Sequence, residues 1–569
     1  MKGIGVSPGI SIGKAFVLKK HEAAIIGMLL KNDMEVSAET EKFNKAVDSS
    51  VAEIESIKTN EELILTDEDL AILETQIEFL SDPQLKEDVL EKISGEKKTA
   101  NDALIDVMAN LVELFRNMDD EYMRARAADV QDISDRILKH LNGSDQDLKK
   151  QFESNTIIIA EDIAPSDTIT MDTRYITGFA TQVGSRTSHA AIIARAKGIP
   201  AVVGCGDELG VIEDEDVIIL DGVTGLVHIN PDQATIDDYM ARQDVYLKKT
   251  EQLKTLKNTP AVTTDGARIM LSANISGADD MDDVFENGGE GVGLLRTEML
   301  FMNRDGFPSE EEQFKFYKQV VLKSKGKPVI VRTIDIGGDK QLSYFGLAVE
   351  QNPFLGYRAI RICLDRTDIF ITQLKAILRA GVFGDLKIMF PMISNVEEVR
   401  AAKEVVAAAK KELTADGVAF NAEVQIGIMI EIPSAAITAD ILAKEVDFFS
   451  IGTNDLCQYT LAVDRMNEKI THLYDPFNPG VLRLISNVIE QGHKHHIYVG
   501  MCGEMAGEPT AALLLLGMGL KEFSMSASSV PSIKNIIINH SLSSAQDVCK
   551  KVMEMDSSQK IIAYLQSIS

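Results

Sequence analysis

The stretch VDFFSIGTNDLCQYTLAVDR, residues 446 to 465, sets a carboxylate, an amide and a guanidinium just beyond a largely apolar run. Val446 to Ile451 has strand character and breaks at Gly452; Asn454 and Asp455 follow, and Arg465 lies ten residues past Asp455. Side chains of these types past a buried strand suit a site that holds a metal and an anion together. A second constellation is GSRTSHAAIIARAKGIPAVVG, residues 184 to 204, in which Thr187 and Ser188 precede His189 and an Ala- and Ile-rich helical pattern follows. Hydroxyls and small residues at a helix start supply caps and leave backbone N–H groups free to meet an anion. An imidazole there can attack phosphorus without prior deprotonation, and it titrates near physiological pH. The bland alternative for His189 is a hydrogen-bonded structural histidine.

These groups need strands to position them, and the second half of the chain supplies a series. RIMLSANI ends near Asn274, GVGLLRTE on Arg296 and Glu298, PVIVRTIDIGG on Arg332 and Asp335, and LKIMFPM near Met392. QIGIMIEIPS ends on Glu431, HIYVGMCGE on Cys502 and Glu504, and KEFSMSA on Ser526. With the run before Gly452 this makes eight strand signals, most separated by helical patterns such as Glu397 to Leu413. That alternation predicts a (β/α)8 TIM-type barrel, whose active site lies where the strands end. An open doubly wound sheet and one miscounted strand are the alternatives.

The first half alternates differently. Residues 1 to 20 and 144 to 230 read as a β-rich α/β domain, and residues 21 to 143 as a helical domain inserted into it. Within the helical block Leu70, Leu73, Ile77 and Leu80 recur at helical spacing, as do Leu104, Val107, Leu111 and Leu114. A lysine-rich amphipathic stretch, Ile236 to Leu256, reads as a helical linker within residues 231 to 260, and residues 261 to 569 hold the barrel. The expected fold is therefore multidomain α/β.

Composition bounds the partners. The 569 residues are too many for one core and predict three or four domains. Against 58 Lys and Arg stand 87 Asp and Glu, a formal charge of −29, which argues against a nucleic-acid binder and favours cationic protein partners. Five scattered cysteines without a CxxC pair predict neither a disulfide framework nor a structural zinc site. MKGIGVSPGI lacks an apolar signal core, and the run near Leu513 to Leu516 is too short to span a membrane, so a cytoplasmic protein is expected. GISIGK lacks the spacing and the hydroxyl of a phosphate-binding Walker loop. The HKHH run, residues 493 to 496, falls before a barrel strand, away from the strand ends.

Six motifs together resemble the phosphoenolpyruvate-protein phosphotransferase family, Enzyme I of the bacterial sugar phosphotransferase system. They are SRTSHAAIIARAKGIPAVVG, GVGLLRTEMLFM, IDIGGDK, NPFLGYRAIR, FFSIGTNDLCQYTLAVDR and GMCGEMAGE. The resemblance implies that His189 carries the phosphoryl group and that Arg296, Arg332, Arg358, Asn454, Asp455 and Arg465 bind phosphoenolpyruvate. It implies Glu431 and Asp455 as ligands of Mg²⁺, and Cys502 as the acid that protonates the enolate to give pyruvate. It further implies that the helical domain binds a small histidine-containing phosphocarrier protein and that the barrels pair into a homodimer. Residues 61 to 100 hold twelve acids against four lysines, which suits a basic partner face. Two positions depart from the family pattern: Ser185 stands where a second glycine is common, and Tyr357 replaces a tryptophan. Two other classes stay open. One is a metal-dependent barrel lyase of small keto acids, which needs no His189; the other is a non-catalytic regulatory scaffold.

Overall fold

The computed structural model describes residues 1–18, 27–59, 67–116, 121–142, 155–163, 175–184, 188, 190–191, 194–195, 198–302, 304, 306–338, 342–348, 350–465, 467 and 469–568. The chain divides into two compact units, Met1–Lys249 and Thr250–Ser569.

In the first unit seven strands form a mixed sheet: β1 (Ile4–Ser7), β2 (Ile10–Leu18), β3 (Thr156–Ala160), β4 (Ile176–Thr181), β5 (Ala201–Val203), β6 (Val217–Asp221) and β7 (Leu226–Ile229). Their order is β1-β5-β4-β3-β2-β6-β7, parallel from β2 through β5 and antiparallel at both margins. Alternation along β3 sends Ile158 and Ala160 to a face covered by Ala190, Ala191 and Ala194, and Ile157 and Ile159 to the face that holds Leu209 and Ile212. The covering residues belong to the Ala-rich segment after His189, which packs because its side chains are small.

Between β2 and β3 the described residues form five helices, α1 (Asp33–Lys58), α2 (Asp67–Leu80), α3 (Pro83–Gly95), α4 (Ala100–Arg116) and α5 (Glu121–Asn142). They enclose a core of their own that includes Phe43, Ile54, Leu73, Leu80, Val89 and Ile137. Leu104 and Val107 are buried as their spacing predicts, whereas Leu114 stands 56% exposed where α4 runs past that core. The stretch from Gln233 to Thr255 is one helix. Its amphipathic pattern is not realised: Tyr239 is buried, while Met240, Val245 and Leu247 are exposed. Ion pairs four residues apart, Arg242 with Asp238 and Lys248 with Asp244, line its surface instead.

The second unit is a closed barrel of eight parallel strands: β8 (Met270–Ile275), β9 (Val292–Leu295), β10 (Val329–Arg332), β11 (Leu386–Phe390), β12 (Ile426–Ile430), β13 (Phe448–Ile451), β14 (Tyr498–Met501) and β15 (Glu522–Met525). Each is paired in parallel with the next, and Glu522 opposite Met270 closes the ring. The two-residue period sorts side chains between layers. Ile388, Phe390, Ile428 and Ile430 face the helices, while Leu294, Ile330, Met389, Met429 and Phe448 fill the interior beside Cys502. A packed interior makes the barrel a rigid rim for whatever stands at its carboxyl end. No helix among the described residues is long and apolar enough to cross a membrane.

Candidate active site

Arg332 is the last residue of β10 and is buried, although it carries a full charge. Its Nη2 pairs with Glu298, and its Nη1 lies 2.9 Å from Asp335 Oδ2. The other oxygen of Asp335 is 3.0 Å from Nη2 of Arg358, so one carboxylate bridges two guanidiniums. Arg358 Nη1 donates to Tyr459 Oη at 3.0 Å, and that hydroxyl donates to the Phe354 carbonyl. Burial alone would lower both arginine pKa values, but neighbouring carboxylates, Asp335 first, more than reverse this and keep both groups cationic.

The backbone between these arginines is built for close approach. Gly337 has φ +101°, and a Cβ there would stand 2.6 Å from Arg358 Cβ. Only glycine takes that conformation and leaves that space without cost.

Glu431 and Asp455 enter from β12 and from the helix Thr453–Leu461 after β13. Both are buried. Glu431 Oε1 accepts the Met392 N–H at 2.6 Å, and its other oxygen lies 3.0 Å from where a Cβ on Gly452 would be. Burial, then the charges of Asp455 and Asp335, push Glu431 up to about 8 against the pull of Arg332 and Arg358. Asp455 Oδ2 is 3.8 Å from Arg358 Nη2, while its Oδ1 is buried with no hydrogen-bond partner among the described residues. Two mutually repelling carboxylates, one with an orphaned oxygen, fit a hard divalent cation that keeps water and substrate oxygens as further ligands. No cluster of three or more metal-ligating His, Cys, Asp or Glu occurs among the described residues.

Cys502 follows β14 and is buried in the barrel interior. Burial pushes its thiol up to about 11, against weaker pulls from a hydrogen bond with Ser450 and from the charges of Arg332 and Arg296. Such a thiol holds its proton at neutral pH. Asn454 Nδ2 donates to Glu504 Oε1 at 3.0 Å, and the Glu504 N–H donates to Asn454 Oδ1 at 3.0 Å. Arg296 and Arg465 make no ion pair with a described residue, and Arg296 is exposed. The backbone N–H of Arg465 donates to Gln458 Oε1 at 3.1 Å, which ties it to the helix that carries Asn454 and Asp455. The barrel thus gathers Arg296, Arg332, Arg358, Glu431, Asn454, Asp455, Arg465 and Cys502 at one end, as strand-end reasoning expects. His189 lies outside the described residues, as do Ser185 and Thr187.

Residues 250–542 match the PEP-binding domain of PEP-utilising enzymes, residues 2–126 their N-terminal domain and residues 152–225 their mobile domain. Over 565 residues the chain is 46% identical to phosphoenolpyruvate-protein phosphotransferase of Bacillus subtilis (strain 168), covering 99% of each. The enzyme of the same name from Priestia megaterium is 45% identical over 567 residues, 100% of this chain and 98% of that one. That from Staphylococcus carnosus (strain TM300) is 44% identical over 562 residues, 99% and 98% respectively. The chain belongs to the phosphoenolpyruvate-protein phosphotransferase family. It is an enzyme with that family's α/β architecture and barrel.

For a phosphoenolpyruvate-protein phosphotransferase, the site holds more than its motifs announce. Glu298 and Asp335 stand out in the sequence only as strand-end acids, yet they neutralise Arg332 and Arg358. Tyr459 and Ser450 lie inside the motif FFSIGTNDLCQYTLAVDR, but only tertiary contact, with Arg358 and with Cys502 respectively, reveals a role for either. Tyr357 donates from Oη to Asp365 Oδ2 at 2.6 Å.

Proposed function

We propose that this chain takes the phosphoryl group of phosphoenolpyruvate onto His189 and passes it to a histidine of a small phosphocarrier protein. Pyruvate is released, and the transfer is the first step of a bacterial sugar phosphotransferase system. The observation that carries the reading is the charge array at the barrel rim. Four guanidiniums, Arg296, Arg332, Arg358 and Arg465, stand with four carboxylates, Glu298, Asp335, Glu431 and Asp455. With all ionised these balance, and Glu504 beside Asn454 adds a further negative charge at the rim, so a polyanionic substrate needs a further cation. Magnesium held by Glu431 and Asp455 would supply it, polarising the phosphoryl oxygens.

Phosphoryl transfer depends on in-line placement and neutralisation of the phosphoryl oxygens more than on covalent work by the protein. In this reading Arg332 and Arg358, locked by Asp335, give fixed positive charge. Arg296 and Arg465, without carboxylate partners among the described residues, close on the substrate's phosphate and carboxylate in bidentate fashion, with Asn454 as a polar contact. As the P–O bond breaks and the bond to the His189 ring nitrogen forms, the electron pair passes to the enolate. The methylene carbon then takes the proton of Cys502 Sγ, leaving a thiolate and pyruvate; a thiol held protonated by burial suits a general acid. The helical segment 21–143 receives the carrier, residues 231–260 connect it and the α/β domain to the barrel, and barrels pair in a homodimer in the cytoplasm.

The test is intact mass after incubation with phosphoenolpyruvate and Mg²⁺, without ATP, on wild type and His189→Ala. One acid-labile phosphoryl group, absent from the variant, is expected. Pyruvate release by the variant without added mass on wild type would replace this reading with a barrel lyase.

A further inference from the structure

The backbone of Cys502 is gripped from two sides. Its N–H, and that of Gly503, donate to the Ile451 carbonyl at the end of β13, at 3.1 and 3.2 Å. On the opposite side Asn274 Nδ2, from β8, donates to the Cys502 carbonyl at 2.9 Å. Asn274 Oδ1 in turn accepts from Ser524 Oγ, in β15, at 2.7 Å. Because a carbonyl can only accept, the amide has one orientation that satisfies both contacts. Room for the serine hydroxyl comes from Gly293 in β9, where a Cβ would stand 2.5 Å from both Ser524 Cβ and Oγ.

We infer that Asn274 is a positioning residue for proton transfer from Cys502, and that Ser524 orients it. This rests on the reading of Cys502 as the proton donor. Asn274 bonds the Cys502 carbonyl and acts on Sγ through the backbone. Sγ hangs from that peptide by a single side-chain torsion, so rotating the peptide swings the donor away from the carbon it must reach. Misplacement on the order of 1 Å costs about 100-fold in a reaction that depends on alignment.

The experiment compares wild type, Asn274→Ala, Ser524→Ala, Ser524→Thr, the Asn274/Ser524 double alanine and Cys502→Ala in the full chain. Pyruvate formation from phosphoenolpyruvate is measured in H₂O and D₂O, alongside phosphoryl exchange between His189 and a purified histidine-containing phosphocarrier protein. Asn274→Ala is expected to lower kcat for pyruvate about 10- to 100-fold, with KM within about twofold, a larger solvent isotope effect and unchanged carrier exchange. Ser524→Ala should show a smaller loss that Ser524→Thr restores, and should add nothing once Asn274 is alanine. Unchanged kcat in Asn274→Ala and Ser524→Ala, beside an inactive Cys502→Ala, overturns the positioning role alone. A parallel fall in carrier exchange overturns it too, as general damage. Full pyruvate formation by Cys502→Ala instead removes the proton-donor reading on which it rests. Should Asn274→Ala fail to fold, Ser524→Ala reads the same path with the amide in place.

Discussion

Asn454 and Glu504 hold each other through two hydrogen bonds, amide to carboxylate and backbone N–H to amide oxygen, each 3.0 Å. The pair ties the first turn of the helix Thr453–Leu461 to the loop that carries Cys502. It fixes the amide of Asn454, leaving one N–H to point elsewhere. Glu504→Ala should raise KM for phosphoenolpyruvate about 5- to 30-fold, the range expected when a polar partner loses its bond. Glu504→Gln keeps the acceptor and should stay within about threefold. The exposed position of Glu504 predicts little change in melting temperature for either. Steady-state kinetics decide it, and equal KM values across all three proteins would leave the clasp without function.

Asp335 is the internal counter-ion of two buried arginines, so its charge matters apart from its shape. Asp335→Asn keeps the shape and leaves Arg332 and Arg358 short of one negative charge. Breaking a buried pair costs roughly 3–5 kcal/mol, and a melting temperature lowered by several degrees is expected. An anion that enters the same arginines should restore part of the loss. Added phosphoenolpyruvate should therefore raise the melting temperature of Asp335→Asn more than that of wild type. The reverse order would mean that the substrate does not meet these arginines.

The strand ends were legible because the barrel strands are short, largely apolar runs that stop at a charged residue or a chain-breaking one, as at Ile430–Glu431 and Ile451–Gly452. What the chain does not announce is pairing across the barrel. Glu298 lies 34 residues from Arg332 and Tyr459 lies 101 from Arg358, and no local period links them. Nor does spacing alone say which apolar face meets a neighbour: Leu104 and Leu114 obey one pattern, yet only Leu104 is buried. Cys502 is a further case, since its sequence neighbours suggest reactivity while its burial explains why it would donate a proton rather than attack.

That burial gives a pH prediction. A free thiol titrates near 8.5, whereas Cys502 is pushed up to about 11. The neutral thiol is the favoured form in the fold, so the thiolate fraction rises only well above pH 9. Iodoacetamide labelling of Cys502, followed by peptide mass, should climb between about pH 10 and 11 and remain slow at pH 7.5. Rapid labelling at neutral pH would identify a nucleophilic thiolate and contradict the acid role.

The last prediction concerns Glu431, which desolvation and the charges of Asp455 and Asp335 push up to about 8. A carboxyl whose pKa is raised by folding stabilises the fold most at low pH, where it is protonated in both states. That contribution is lost as pH climbs from the unfolded value near 4.3 through the folded one. The protein without divalent cation should therefore lose stability between about pH 4.5 and 8 on account of this group. A cation bound between Glu431 and Asp455 removes the repulsion, so Mg²⁺ should raise the melting temperature at pH 8 and flatten its pH dependence. Glu431→Gln should melt higher than wild type in EDTA and respond less to Mg²⁺, while losing activity with phosphoenolpyruvate. If EDTA and Mg²⁺ leave the melting temperature of wild type equal at pH 8, the two carboxylates do not form the metal site.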